Sequence, residues 1–275
     1  MHGEAAPAQS AQERLVVVAD RLLELGYEFA FATDYSSFDC GDAVDICIQP
    51  SVGEIEGIGG EREAAFLGAT PLTTILPELG LEVSPLRGYL SPDGVVDEVT
   101  SERSGRSDAP LFTYAHLLTP HPPYRYLEGC ELRDDLSGPE IDYWGEPDGA
   151  GGAGYSRAVG CVNRDLLAAI DKIEASDPNA IIVIAGDHGP KFEIDFHRPL
   201  SDWTQDELDA RFAILEAQRL PGCDDGGDDP RAALSVNTFR LVLACITGEP
   251  VPLLDREQYM IDLEANEIEP VEGAG

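Results

Sequence analysis

The chain has very little lysine: two among 275 residues, Lys172 and Lys191. Lys and Arg together number 18 against 52 Asp and Glu, for a formal net charge of −34. So acidic a surface repels nucleic acid, anionic lipid and free phosphate esters at long range. No nucleic-acid partner is expected, and an anionic substrate would require bound cations in its pocket. No C-x-x-C occurs among the six cysteines, which argues against a zinc knuckle. No apolar run reaches the roughly 18 residues that read as a membrane span. The opening stretch, Met1 to Pro7, has neither a basic region nor an apolar one, so it does not read as a signal peptide. Histidine is scarce too, with five in the whole chain.

What is present describes a globular protein. Hydrophobic residues make up 43% of the chain, and the length suits one large domain with a sizeable core. Residues 1–10 are expected to be a disordered tail, 11–262 a single α/β domain, and 263–275 a loose tail. An even cysteine count allows disulfides in an oxidising compartment. Cys40 with Cys47 and Cys130 with Cys161 are the pairs to test, and free buried thiols are the open alternative.

Taken in order, Glu13 to Leu25 has apolar residues at helical spacing and stops at Gly26. Tyr27 to Thr33 alternates like a strand. Asp39 to Pro50 holds a short apolar piece suited to an edge strand. Gly53 to Gly60 reads as a loop, and Glu61 to Leu79 as helical but broken by Pro71 and Pro77. Leu86 to Ala109 is polar and reads as a surface connection. Pro110 to Leu118 reads as a strand, and 125–154 as a loop carrying Tyr143 and Trp144. Tyr155 to Ala175 is the best helix, with Val159, Val162, Leu166, Ile170 and Ile173 as its apolar stripe. Thr204 to Glu207 is a capping-box signature. Arg211 to Leu220 reads as a strand. Pro221 to Pro230 reads as an acidic solvated turn whose spacing fits no EF-hand. Ser235 is expected to cap a helix over Val236 to Ile246.

Chemistry concentrates in two places. Ala180 to Ala185 is an unbroken apolar run, which predicts the central strand of the sheet, buried on both faces. It ends in Gly186-Asp187-His188-Gly189-Pro190. Ligands in open α/β sheets bind at the carboxyl ends of strands, and carboxylate and imidazole are donors that Zn²⁺ or Mn²⁺ accept. The second place is Ala115-His116-Leu117-Leu118-Thr119-Pro120-His121-Pro122-Pro123. Three prolines there stiffen the turn that carries His121. A core His116 and an ordinary turn residue His121 would be the bland explanation. Were the two strands parallel neighbours, His116, His121, Asp187 and His188 would share one edge. His2 falls in the tail, and His197 reads as a bystander.

These motifs form an ordered set. His116-Leu-Leu-x-Pro-His121-Pro-Pro-Tyr124 is followed by Tyr155…Val162-Asn163-x-x-Leu166. Then come Ile182-x-x-x-Gly186-Asp187-His188-Gly-Pro, Arg211-Phe212-x-Ile214-Leu215…Leu220-Pro221, and Val236-Asn237-Thr238-Phe239-Arg240-Leu241. Over about residues 13–260 the chain resembles the sulfatase-like branch of the alkaline phosphatase superfamily, near lipoteichoic acid synthases and phosphoethanolamine transferases. The resemblance implies a mixed, mostly parallel central sheet with helices on both faces. It makes Asp187 and His188 ligands of a divalent metal (Mn, Zn, Mg or Ca). It makes His121, and His116 beside it, groups that hold a sulfate or phosphate. The implied function is a metal-dependent hydrolase or phosphotransferase acting on small-molecule, lipid or glycan esters. The implied place is the extracytoplasmic face of a membrane.

The departure from the family pattern is at the front. Relatives carry an acidic metal ligand on a first strand and then a Thr, Ser or modified Cys nucleophile at a helix start. Neither is found here, and Thr33 to Ser37 corresponds to a later family segment. The chain is therefore expected to be incomplete at the N-terminus, with a membrane-anchored part upstream, or to be a degenerate member. Low turnover is expected from it alone. A catalytically inert binding module that retains part of the metal and anion site is the alternative.

Overall fold

The structure is a computed structural model. It describes residues 11–34, 40, 43–49, 89–122, 124–132, 150–190, 198–223, 226–262 and 267–271. The expectations for 1–10, 53–60, 61–79, Tyr143, Trp144 and His197 lie outside the described residues. The chain divides into two compact units.

The first unit is built on a three-stranded parallel sheet. Helix α1 (Ala11–Glu24) leads through Gly26, at φ 88°, into β1 (Glu28–Thr33). Only a residue at ease with positive φ closes that tight junction without strain. Strand β2 (Ile46–Ile48) pairs with one side of β1 and β3 (Leu111–His116) with the other. Helix α2 (Pro92–Arg103) precedes β3.

β1 is the central strand, and its residues 29–33 are all buried. Its sequence, Glu-Phe-Ala-Phe-Ala-Thr, explains how. Successive side chains point to opposite faces, so the two phenylalanines share one face and the two alanines the other. Phe29 and Phe31 pack with Ala19 of α1, and they stack on Phe112 and Tyr114 of β3 at 5.3 and 5.9 Å. Ala30 and Ala32 leave room on the opposite face for Val95 and Val99 of α2.

This corrects the reading of Leu86 to Ala109 as a surface connection. Ser91 accepts a hydrogen bond from the Gly94 N–H at 3.1 Å, Pro92 sits in the first turn, and Val95 and Val99 are buried one turn apart. The polar residues of this twelve-residue helix outnumber its valines in composition, but the valines decide its placement.

Helix α3 (Ala150–Ser176) contributes residues 155–172 to this unit. Its buried positions are Ala158, Cys161, Val162, Asp165 and Ala169. The stripe is thus turned by about one residue from the expected one: Val159, Leu166 and Ile170 are half-buried. Two tethers set the rotation, the Cys130–Cys161 disulfide and a hydrogen bond from the Tyr126 hydroxyl to Asp165 at 3.2 Å.

In the second unit, β4 (Ile182–Ala185) pairs antiparallel with β5 (Glu216–Arg219). The expectation of a central, doubly buried strand over 180–185 is not met here. β4 is half-buried along its length, with Ala185 exposed, and its described ladder is with β5 alone. One apolar face, Ile181 and Val183, packs on Leu220, Ala232, Leu241 and Val242.

Helix α4 (Gln205–Phe212) begins in the expected capping box between Thr204 and Glu207. It consumes Arg211 and Phe212, so the strand expected over Arg211 to Leu220 is shorter and starts at Glu216. Helix α5 (Ser235–Thr247) takes Leu234, not Ser235, as its N-cap. Strands β6 (Tyr259–Asp262) and β7 (Glu267–Pro270) form an antiparallel hairpin where a loose tail was expected beyond Leu263.

All six cysteines are paired, as Cys40–Cys47, Cys130–Cys161 and Cys223–Cys245. Both candidate pairs are present, and a third accompanies them. The coarse class is therefore α/β, with a parallel sheet between helices in the first unit and two smaller antiparallel pairs in the second.

Candidate functional site

Two chemistry-bearing places emerge, one in each unit. In the first unit they lie at the carboxyl edge of the parallel sheet. Thr33 and His116 are opposite each other at the last rung of the β1–β3 ladder. His116 is half-buried, with its ring 6.4 Å from that of Tyr114. The chain then turns through the cis Thr119–Pro120 bond, and the His121 N–H donates to the Leu118 carbonyl at 2.7 Å. His121 is exposed, with Nδ1 2.6 Å from the Pro122 carbonyl oxygen. A carbonyl only accepts, so Nδ1 carries the proton in this contact.

Beside this turn lies a polar cluster that the sequence reading did not single out. Asp34, directly after β1, accepts the Leu118 N–H at 2.9 Å. Burial pushes its carboxyl above the usual aspartate range; backbone N–H groups and the Arg125 charge pull the other way. The Tyr89 hydroxyl meets that of Tyr126, which donates to the buried Asp165. Burial, reinforced by Asp165 and Asp34, keeps Tyr89 protonated by raising its pKa. Arg164 closes the other side of Asp165 with two hydrogen bonds, at 2.9 and 2.7 Å. Arg125 stands over the Tyr89 ring at 5.8 Å, and burial lowers its pKa against the raising influence of Asp34.

Two of these residues carried a signal in the sequence. Asp34 follows a strand end, where parallel sheets bind ligands. Asp165 is a lone carboxylate inside an apolar helical stripe, and buried charges are paired or functional. Tyr89 and Arg125 had no comparable mark.

In the second unit, Gly186 ends β4 with its N–H donated to the Leu215 carbonyl at 2.8 Å. Asp187 and His188 follow, both exposed. Nδ1 of His188 is 3.0 Å from the Gly189 carbonyl oxygen, so Nδ1 carries the proton toward it. The other ring nitrogen, Nε2, lies 3.5 Å from Asp187 Oδ2. Gly189 is buried and its backbone is bound to Arg211 of α4, whose pKa is lowered by burial and raised back by Asp187.

The structure thus brings His116 opposite Thr33 at the end of β1, and sets His188 beside Asp187. β3 pairs with β1 and β4 with β5, so the parallel β3–β4 pairing that sequence analysis had supposed is not among the described ladders.

The donor chemistry of Asp187 and His188 fits a divalent ion. Metal-bound histidines commonly hold the other ring N–H on a backbone carbonyl, as His188 does. Two donors are short of the three or four of a resident site, and among the described residues no group of three or more His, Cys, Asp or Glu is placed to hold an ion. No helix among the described residues is long and apolar enough to cross a membrane.

No family model, no curated protein and no solved structure matches this chain.

Proposed function

We propose that the chain is a metal-dependent, sulfatase-like hydrolase or phosphotransferase domain that acts on sulfate or phosphate esters. In this reading Asp187 and His188 hold the divalent cation, and His121 with His116 binds the ester oxyanion. The observation that carries it is the placement of His188. Its Nδ1 is engaged by the Gly189 carbonyl, and its Nε2 lies 3.5 Å from the Asp187 carboxylate on a strand-end turn.

The chemistry of the chain's own residues follows from that arrangement. Gly189 lies against the backbone of α4 and fixes the turn, so the two donors stay on its exposed side. As a ligand the imidazole would bind in its neutral form. His121 sits on a proline-stiffened turn, where a protonated ring would neutralise charge that builds on an ester oxygen. A divalent ion held by Asp187 and His188 would supply Lewis acidity.

The test is calorimetric titration of Mn²⁺ and Zn²⁺ into the full chain, wild type beside Asp187→Ala and His188→Ala. One ion per chain is expected, with affinity falling at least about tenfold in either variant; loss of a mere supporting partner already costs that much. Equal affinity in wild type and both variants would remove the metal from this turn and the reading with it.

A further inference from the structure

We propose that Arg125 is the receptor for a tetrahedral oxyanion at the carboxyl edge of the parallel sheet. This deepens the functional reading above, resting on it for the class of ligand but on separate residues for the site.

Arginine normally spends its donors. Its guanidinium has five N–H groups in a rigid fork. Other described arginines of this unit do so: Arg103 donates to the Ala109 carbonyl, Arg157 to the Tyr126 carbonyl at 3.4 Å, and Arg164 to Asp165. Arg125 differs. Its Nε is buried with no hydrogen-bond partner. Among the described residues it makes no salt bridge, and its recorded contact is with the face of Tyr89.

The surroundings explain why no internal carboxylate takes it. The Asp34 charge is felt at Arg125, yet the carboxylate of Asp34 is occupied by the Leu118 N–H. Asp165, the other buried acid, is taken by Tyr126 and Arg164. Both of these acids are engaged elsewhere, and the guanidinium lies against the Tyr89 ring. A stacked, half-buried guanidinium whose Nε–H is unspent can grip planar or tetrahedral oxyanions through its fork.

Place and charge agree. Arg125 follows His121 by four residues on the segment leaving β3, and open α/β sheets bind ligands at that edge. The whole protein is strongly acidic, so a local fixed cation is what an anionic ligand would require. The Tyr89 ring beneath it is neutral and adds no charge to repel the ligand.

The experiment uses the full chain with inorganic phosphate, inorganic sulfate and phenyl phosphate as probes. Binding is read by calorimetry at low salt for wild type, Arg125→Gln, Arg125→Lys and Asp187→Ala. Wild type is expected to bind, and Arg125→Gln to bind roughly tenfold or more weakly, the equivalent of one lost charged hydrogen bond. Arg125→Lys keeps the charge and most of the bulk but loses the fork. It is expected to fall between the two, and it guards against a Gln variant that fails to fold. Asp187→Ala is expected to bind anions as wild type does, so failure of the metal reading leaves this result standing. Tighter binding of phenyl phosphate assigns the site to an ester; tighter binding of the inorganic ions assigns it to the free oxyanion. No binding by wild type, or equal binding by wild type and both Arg125 variants, overturns the proposal.

Discussion

Gly189 and Arg211 hold each other by a reciprocal pair of hydrogen bonds. The Gly189 N–H donates to the Arg211 carbonyl at 2.8 Å, and Arg211 Nη1 donates to the Gly189 carbonyl at 3.0 Å. The same glycine carbonyl receives the His188 ring. One backbone unit therefore fixes the turn that carries Asp187 and His188 to helix α4.

That closeness leaves no room for a side chain. A Cβ on residue 189 would sit 1.9 Å from the Ala210 carbonyl oxygen and 3.0 Å from that of Arg211. Both are backbone atoms and cannot swing aside. Gly189→Ala is expected to destabilise the protein by about 1–3 kcal/mol, as overpacking does, and to weaken any metal binding by displacing His188. Urea unfolding with parallel metal titration checks this; an unchanged midpoint would show that the turn relaxes freely.

Asp34 makes stability depend on pH in a particular direction. Burial raises its folded pKa above the unfolded value. The native state then holds a proton that the unfolded chain releases from about pH 4 upward. Stability from this group falls as pH rises from there to the raised pKa, and is level beyond it. Asp34→Asn keeps an oxygen to accept the Leu118 N–H and has no charge to bury. It is expected to be more stable than wild type at pH 7, with the difference vanishing below about pH 4. Thermal melts across pH settle it. A less stable Asn variant at pH 7 would mean that the attraction of Arg125 and the backbone donors outweighs burial.

The Cys130–Cys161 disulfide joins positions 31 apart in sequence. It closes the segment carrying His121, Arg125 and Tyr126 onto α3, beside the buried cluster of Tyr126, Ala158 and Val162. Replacing both cysteines by alanine is expected to cost about 2–5 kcal/mol. Non-reducing denaturant unfolding measures the loss. A change within error would mean that packing on α3, with no covalent help, holds this segment.

Local chemistry was legible wherever a short pattern is sufficient. Thr204 and Glu207 form the capping box that their spacing announces, because both partners lie within one turn. The helix before Gly26, the strand after it and the long helix ending near Ser176 were readable for the same reason. The Asp187-His188 and His121 turns were visible because histidine is rare and glycine and proline punctuate both.

The remainder depended on partners distant in the chain. The run Ile181 to Ala185 is more apolar than Phe29 to Thr33, yet β1 is the buried centre and β4 is half-open. Burial depends on how many neighbours cover a strand: β1 has β2 and β3 at its edges and α1 and α2 on its faces, while β4 pairs only with β5 among the described strands. Arg125 and Asp165 show the same division. Sequence alone determined that a charge would stand at each position. The tertiary structure decided that Asp165 would be matched by Tyr126 and Arg164 and that the Nε–H of Arg125 would be left over, since hydrogen bonds are assigned by three-dimensional proximity.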